Sequence, residues 1–230
     1  MPEPEIKVAL FDIAGTLTSV NIWKVMTNST KVDEGRLRLM YARALPFWAL
    51  YKLRVMSEVR FRHLWVKALA PLVRGWNEAQ LDDLFEWGVT AYLKPHYRED
   101  VVTELRQLKA QGAYVVLVSN MFERFCDRFA RQVGADKGLG TQLEFQNGVA
   151  TGRVLGRAMA GAEKLDRARQ FLKTQGIDVA FSDHAAAYAD SLSDVALLSA
   201  AKYPTVTYPD SRMRDEAVKR GWRIIEATSS

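Results

Sequence analysis

The chain has 230 residues, of which 48% are hydrophobic and 26% charged, ordinary values for one sizeable globular domain or a core domain with a small insert. A formal net charge of +5 suits anionic ligands without specifying one, and no nucleic-acid-binding motif accompanies it. The single Cys126 excludes an internal disulfide and a cysteine-cluster metal site, and Met1–Glu5 lacks the basic and apolar regions of a secretory signal, so a cytoplasmic location is expected.

Val8-Ala9-Leu10-Phe11 is a short apolar run that reads as a buried strand, with Gly15-Thr16 as the turn where it ends. Asp12 therefore falls at a strand's C-terminal end, the rim where open α/β sheets bind ligands. Taken alone, an acid there has a less favoured alternative, a cap of the turn or of a helix. Residues 21–95 then read as an all-helical insert, punctuated by Gly35, Pro46, Pro71, Gly75, Gly88 and Pro95, with Asn77-Glu78-Ala79-Gln80 starting its last helix. A helical segment directly after the first strand forms a lid over the strand ends. Its most apolar piece, Tyr41 to Met56, is too short and too rich in cations to cross a membrane. We read it as a packing face between lid helices, with a surface for lipid headgroups or a partly apolar substrate as the alternative. His63 has no ligand partner at helical spacing and reads as structural or solvated.

From Arg98 to Gln111, Val101, Val102, Leu105 and Leu108 fall at helical spacing, and Gly112 ends the helix. Ala113 to Asn120 is a continuous β-branched and aliphatic run, as in a parallel strand buried on both faces. A helix over Phe122 to Val133, closed by Gly134, would leave Ser119 and Asn120 in a strand-to-helix turn whose N–H groups can hold an anion. Cys126, between Phe125 and Phe129, is expected in the core. Residues 139–155 read as a hairpin-like pair turning at Asn147-Gly148. Gly161 to Lys164 opens a helix, and a lysine there opposes the helix dipole, which suggests another purpose for it. Ala186 to Ala189 then runs into Asp190 and Asp194, and acids held this close need a cation or a proton between them. With Asp12 they offer the hard oxygen ligands that Mg²⁺ prefers. A further strand from Pro204, a basic helix and a closing strand at Trp222 to Ile225 complete an α/β fold.

Asp12 with Gly15-Thr16, Ser119 after a strand, Lys164 at a helix start, and Asp190 with Asp194 after another strand together resemble the four motifs of the haloacid dehalogenase (HAD) superfamily of phosphohydrolases. The insert between the first and second motifs resembles the cap of the phosphoserine-phosphatase-like branch, subfamily IB. That resemblance implies a Rossmann-like core over residues 1–20 and 96–230 with a parallel sheet, and a helical cap over 21–95. It implies Mg²⁺-dependent phosphomonoester hydrolysis through an aspartyl phosphate at Asp12, with Mg²⁺ held by Asp12, the backbone carbonyl of Ala14, Asp190 and Asp194. Gly15, Thr16, Ser119, Asn120 and Lys164 are implied to bind the phosphate of a small phosphorylated substrate, Lys164 also offsetting the repulsion between the two anions.

Ala14 departs from the family's Asp-x-Asp-Gly-Thr pattern, and it occupies the position of the acid that protonates the leaving oxygen. Three readings are open. Alanine replaces an aspartate in an otherwise normal phosphatase; or the protein turns over weakly and binds phosphorylated ligands; or it resembles phosphonoacetaldehyde hydrolases, which cleave a C–P bond with a cap lysine, for which Lys24, Lys31, Lys52 and Lys67 are available. Phosphoserine phosphatases carry a substrate-binding Glu about nine positions after the nucleophile, where this chain has Asn21, so phosphoserine fits poorly; the aromatic and basic composition of the insert suggests a larger or partly apolar phosphomonoester. Nothing in the sequence indicates the oligomeric state.

Overall fold

The computed structural model of the protein describes residues 6–226. The Met1–Glu5 segment, on which the reading of a missing secretory signal rests, lies outside the described residues.

The first strand, β1 (Val8–Phe11), is buried along its whole length. Four helices follow: α1 (Lys24–Thr27), α2 (Glu34–Lys52), α3 (Glu58–Leu69) and α4 (Glu78–Trp87). Asp33, Ser57 and Asn77 each cap the helix they precede by accepting a backbone N–H, and Asn77 with Gln80 completes a reciprocal capping box. Short π and 3₁₀ turns over Gly88–Leu93 and Lys94–His96 lead to α5 (Glu99–Ala110) and β2 (Tyr114–Phe122). Next come α6 (Glu123–Val133), β3 (Lys137–Thr141), and a hairpin of β4 (Leu143–Gln146) and β5 (Val149–Val154). The chain ends with α7 (Ala162–Thr174), α8 (Phe181–His184), β6 (Ala185–Ala189), α9 (Val195–Ala200), β7 (Tyr203–Thr207), α10 (Ser211–Arg220) and β8 (Arg223–Ile225).

Six strands form one parallel sheet in the order β3-β2-β1-β6-β7-β8. The chain builds outward on one side of β1 through β2 and β3, then returns to build outward on the other side from β6. The C-terminal ends of β1 and β6 therefore flank the point where the order reverses, which is where open α/β sheets leave a crevice for ligands. Side-chain alternation divides the interior: Ala9, Phe11, Val115 and Leu117 pack on one face, and Val8, Leu10, Val116 and Val118 on the other. Phe11 stacks on Tyr188 across β1 and β6 with ring centroids 4.1 Å apart.

Several expectations change. The strand predicted to stop at Asn120 continues to Phe122, with a register irregularity against β3 between Val118 and Phe122, so Ser119 and Asn120 belong to the irregular end of β2 and not to a turn. Residues 137–141 pair with β2 in the main sheet, and only β4 and β5 form the hairpin, turning as expected at Asn147-Gly148, both at positive φ. Pro46 does not separate two helices but lies inside α2. It is exposed there, so water can satisfy the carbonyl its missing N–H leaves unpaired. The apolar stretch from Tyr41 to Met56 is not a buried packing face either. Met40 and Ala44 are the buried residues of α2, while Leu45, Trp48, Leu50, Leu53 and Val55 stand exposed. Cys126 is buried as expected, and the His63 Nδ1–H donates to the Val59 carbonyl, 2.9 Å away.

Gly140 allows β3 to lie against the end of β2. A Cβ there would sit 2.7 Å from Glu123 N and closer still to the Met121 carbonyl oxygen, which is backbone and has no rotamer to change. Gly140→Ala should cost about 1–3 kcal/mol in urea unfolding through this overpacking; an unchanged midpoint would show that the segment carrying Ser119 and Asn120 is not held by β3.

Candidate active site

Asp12 follows β1 directly, its backbone N–H donating to the Tyr188 carbonyl at 2.9 Å and its side chain 1% exposed. Behind it the chain folds into a tight loop in which Leu17 and Thr18 both donate to the Ile13 carbonyl and Gly15 donates to Thr18. Gly15 has φ +88°, and a Cβ on it would overlap the Asp190 carboxylate. Only glycine lets the loop after β1 and the acid after β6 share this space.

Lys164 reaches in from the first turn of α7, its side chain 1% exposed, and lies 2.7 Å from both Asp12 Oδ1 and Asp194 Oδ1. Asp12, Asp190 and Asp194 each offer an oxygen such that all three lie within 4.8 Å of one another. Ser191 and Ser193 donate to Asp194 Oδ2 at 3.2 and 3.3 Å and fix that carboxylate. Among the described residues, Asp12 Oδ2, Asp190 Oδ1 and the Thr16 hydroxyl are buried without a hydrogen-bond partner. Three hard oxygen donors with orphaned lone pairs fit Mg²⁺, and the set contains no thiol or imidazole that would favour a softer metal.

Burial, with the neighbouring Asp194 charge, raises Asp12 above the ordinary carboxylate range against the opposing pull of Lys164. Asp190 is pushed up to about 8, first by burial and then by the Asp12 charge. Burial works to lower Lys164, but Asp12 and Asp194 outweigh it and hold the ammonium above its usual value. These shifts describe a cluster with more negative charge than its lysine balances.

A second cation was not foreseen. Arg62 of α3 donates to Glu58 Oε1 at 2.6 Å and to Ser191 Oγ at 3.3 Å, and the charges of Asp194, Glu58, Asp12 and Asp190 together raise it against burial. Its backbone carbonyl accepts from Asn120 Nδ2 at 3.2 Å, which ties α3 to the end of β2. No sequence spacing marks Arg62 or Glu58, since one arginine in a basic helical stretch resembles the next. Ser119 is buried, with its hydroxyl accepting from Met121 N at 3.3 Å, and Asn120 is held from its other side by Thr141 Oγ1 at 2.8 Å.

Beside the cluster lies a cavity of about 650 Å³ bounded by Ala14, Asn120, Met121 and Arg62 and walled by residues of α2, α3 and the segment just before α1. Ala14 stands in this wall where a carboxylate was expected. Asn21 also lines it and brings no charge. Of the four lysines weighed for a Schiff base, Lys52 alone lines the cavity; Lys31 pairs with Asp83.

A parallel sheet with an acid after its first strand, two more after the strand beside it and a lysine from a following helix defines a HAD-type core. The haloacid dehalogenase-like hydrolase model matches residues 9–199, and the chain belongs to that family. An "inhibition of morphological differentiation protein" of Streptomyces azureus is 28% identical over 159 residues, covering 69% of this chain and 56% of that protein. A phosphoserine phosphatase of Mycobacterium tuberculosis is 32% identical over 126 residues, covering 54% of this chain and 40% of that protein. The fold is shared with a protein of unknown function from Bordetella pertussis Tohama I at a TM-score of 0.79 and 23% identity, covering 96% of this chain and 98% of that one. The chain spans about half the length of the first curated relatives it matches.

In metal-free protein the unfolded Asp190 titrates near its ordinary 3.8 and the folded one near about 8. Between those values the folded state holds a proton that the unfolded state has lost, so stability falls as pH rises through this window. Asp12 shifts in the same direction. The melting temperature in EDTA should therefore decline from about pH 5 to about pH 8, and Asp190→Asn should flatten the decline. An identical slope in the variant would show that the cluster is not the source.

Proposed function

We propose that the chain is a Mg²⁺-dependent phosphomonoester hydrolase that forms an aspartyl phosphate on Asp12 and is slowed by alanine at position 14. The observation that carries this reading is the gathering of Asp12, Asp190, Asp194 and Lys164 at the reversal point of the sheet. Family membership and the relatives named as phosphatases support it. In this reading residues 21–95 are the cap, and residues 1–20 with 96–230 the core.

Asp12, Asp190, Asp194 and the Ala14 carbonyl would hold Mg²⁺, which when bound supplies positive charge against the phosphoryl oxygens. The Asp12 carboxylate attacks phosphorus as the bond from phosphorus to the ester oxygen breaks. Lys164, fixed between Asp12 and Asp194, keeps the nucleophile oriented and offsets its repulsion from the phosphate. The unpartnered Thr16 hydroxyl, the Ser119 hydroxyl and the backbone N–H groups near them are the donors for phosphate oxygens. Arg62 adds a cation from the cap side. At the leaving oxygen the chain offers no acid at position 14, so the alkoxide takes its proton from water. Water, without a base at that position, then hydrolyses the acyl phosphate and frees Asp12.

A second reading, a phosphate-ligand-binding protein with little turnover, is favoured by the same residue: Ala14 lines the cavity with a methyl group where proton transfer would take place. Phosphate release from p-nitrophenyl phosphate separates the two. The chain should show slow, Mg²⁺-dependent release that EDTA abolishes, and Asp12→Asn should remove it. Ala14→Asp should raise the rate on alkyl phosphates by about 10²–10⁴-fold. Phosphate binding with no release from either the parent or the Ala14→Asp protein would sink the hydrolase reading.

A further inference from the structure

We propose that the cavity beside the acidic cluster binds the organic group of its phosphomonoester as an apolar chain, so that the substrates are amphiphiles and not small polar metabolites. This rests on the phosphatase reading above and adds the substrate class.

The cavity's size, about 650 Å³, lies within the range of sites that enclose most of a drug-sized ligand. A phosphate bound at Asp12 would leave most of that volume to the rest of the molecule. One wall is an aromatic ladder that runs from α2 across α3 to Trp23 just before α1: Tyr51 stacks on Phe61 at 4.5 Å, Phe61 meets Trp65 at 5.5 Å, and Trp65 meets Trp23 edge-on at 5.0 Å. These rings already pack against one another, so they offer a continuous apolar surface more than a free face on which a base could stack. Leu45 and Trp48 of α2 line the same cavity and are 60% and 45% exposed. Water-exposed apolar groups at the wall of a cavity gain free energy when a hydrocarbon covers them.

Most polar groups of the lining are already engaged, with Lys52 over the Trp48 ring at 5.8 Å and, among the described residues, Trp65 Nε1 left without a partner. Arg62 and Glu58 neutralise each other at 2.6 Å, and Asn120 is committed to the Arg62 carbonyl. Ala14 places a methyl group where the cavity meets the loop carrying Asp12, so the part of the ligand next to the ester oxygen meets hydrocarbon too. Asn21 gives no charge for a substrate ammonium. The division is thus a charged end that suits phosphate and a long wall that suits a chain. The expectation of a partly apolar substrate rested on composition alone; the ladder and the cavity give it a location.

The test uses the full chain with Mg²⁺, titrated with ethyl, hexyl and decyl phosphate below their micelle concentrations. Binding is read from tryptophan fluorescence, since Trp23, Trp48 and Trp65 all line the cavity. Affinity should rise about threefold to fourfold per methylene until the wall is covered. Leu45→Lys, at an exposed position that folding tolerates, should reduce the ratio of decyl to ethyl affinity about tenfold or more. Equal affinity along the series while p-nitrophenyl phosphate is still hydrolysed would overturn the chain assignment and leave the phosphatase reading standing. Failure of every phosphomonoester to bind or react would overturn both. Phosphatidylcholine vesicles doped with phosphatidate identify the source of the chain. Binding of decyl phosphate alone supports a soluble amphiphile, binding of both supports a membrane lipid as well, and binding of neither overturns the proposal.

Discussion

The structure depends on keeping three carboxylates together out of water at the end of β1. At an effective dielectric of about 20, two like charges about 4 Å apart repel by about 4 kcal/mol, so Asp12, Asp190 and Asp194 cannot all stay ionised without compensation. Lys164 meets two of them directly, and Arg62 faces the group from α3. Counting Glu58, which pairs with Arg62, four carboxylates face two cations, and burial together with the Asp12 charge raises Asp190. A divalent cation bound among these oxygens would offset that excess of negative charge.

Strand register converts this charge arrangement into geometry. Phe11 pairs with Leu117 on one side and Tyr188 on the other, so Asp12 lies level with Val118 and Ala189, and Ser119 and Asp190 come one residue further along. A slip of one residue in either pairing would turn one of these side chains to the opposite face of the sheet. Gly15 then permits the loop to close over Asp190 without a side chain in the way. The helices of residues 21–95 meet the rest of the chain at several places, among them Arg124 with Asp82 at 2.6 Å and the Gly75 N–H on the Ala150 carbonyl at 2.8 Å. Phe85 of α4 packs edge-on against Phe125 of α6 at 5.6 Å, and Asn120 holds α3 by the Arg62 carbonyl. Next to the Asn120 attachment, α2 and α3 border the cavity.

The core of the site was legible in the sequence because each residue of it follows a run with a plain period. Asp12 and Asp190 end apolar strands, and Lys164 opens an amphipathic helix, so short local patterns placed them correctly. Ser119 and Asn120 were assigned to a turn because the irregularity that extends β2 to Phe122 arises from pairing with β3, a tertiary contact invisible in the local pattern. The same holds for residues 139–141, whose partner is β2 and not the next segment. The stretch from Tyr41 to Met56 was misread in the opposite sense. Hydrophobicity in a helix ordinarily signals burial, and here much of it faces the cavity and solvent. Arg62 could not be picked out, since its importance comes from lying near acids that are 50 residues before it and more than 120 after it in the chain.

Ala14 joins the two halves of the molecule, and its chemistry limits what the site can process. An acid at this position would lie between a charged cluster and an apolar cavity, where burial would raise its proton affinity and make it an effective donor. A methyl group instead extends the apolar wall to the edge of the phosphate site. In the proposed mechanism the chain would lose proton transfer to the leaving oxygen while Asp12 and Lys164 stay in place for phosphoryl transfer, since position 14 would serve a metal only through its backbone carbonyl. Under that proposal the rate would depend on how well the leaving oxygen bears its charge alone, and the selectivity on how well the rest of the molecule fits hydrocarbon. Both dependences follow from one side chain that ends at Cβ.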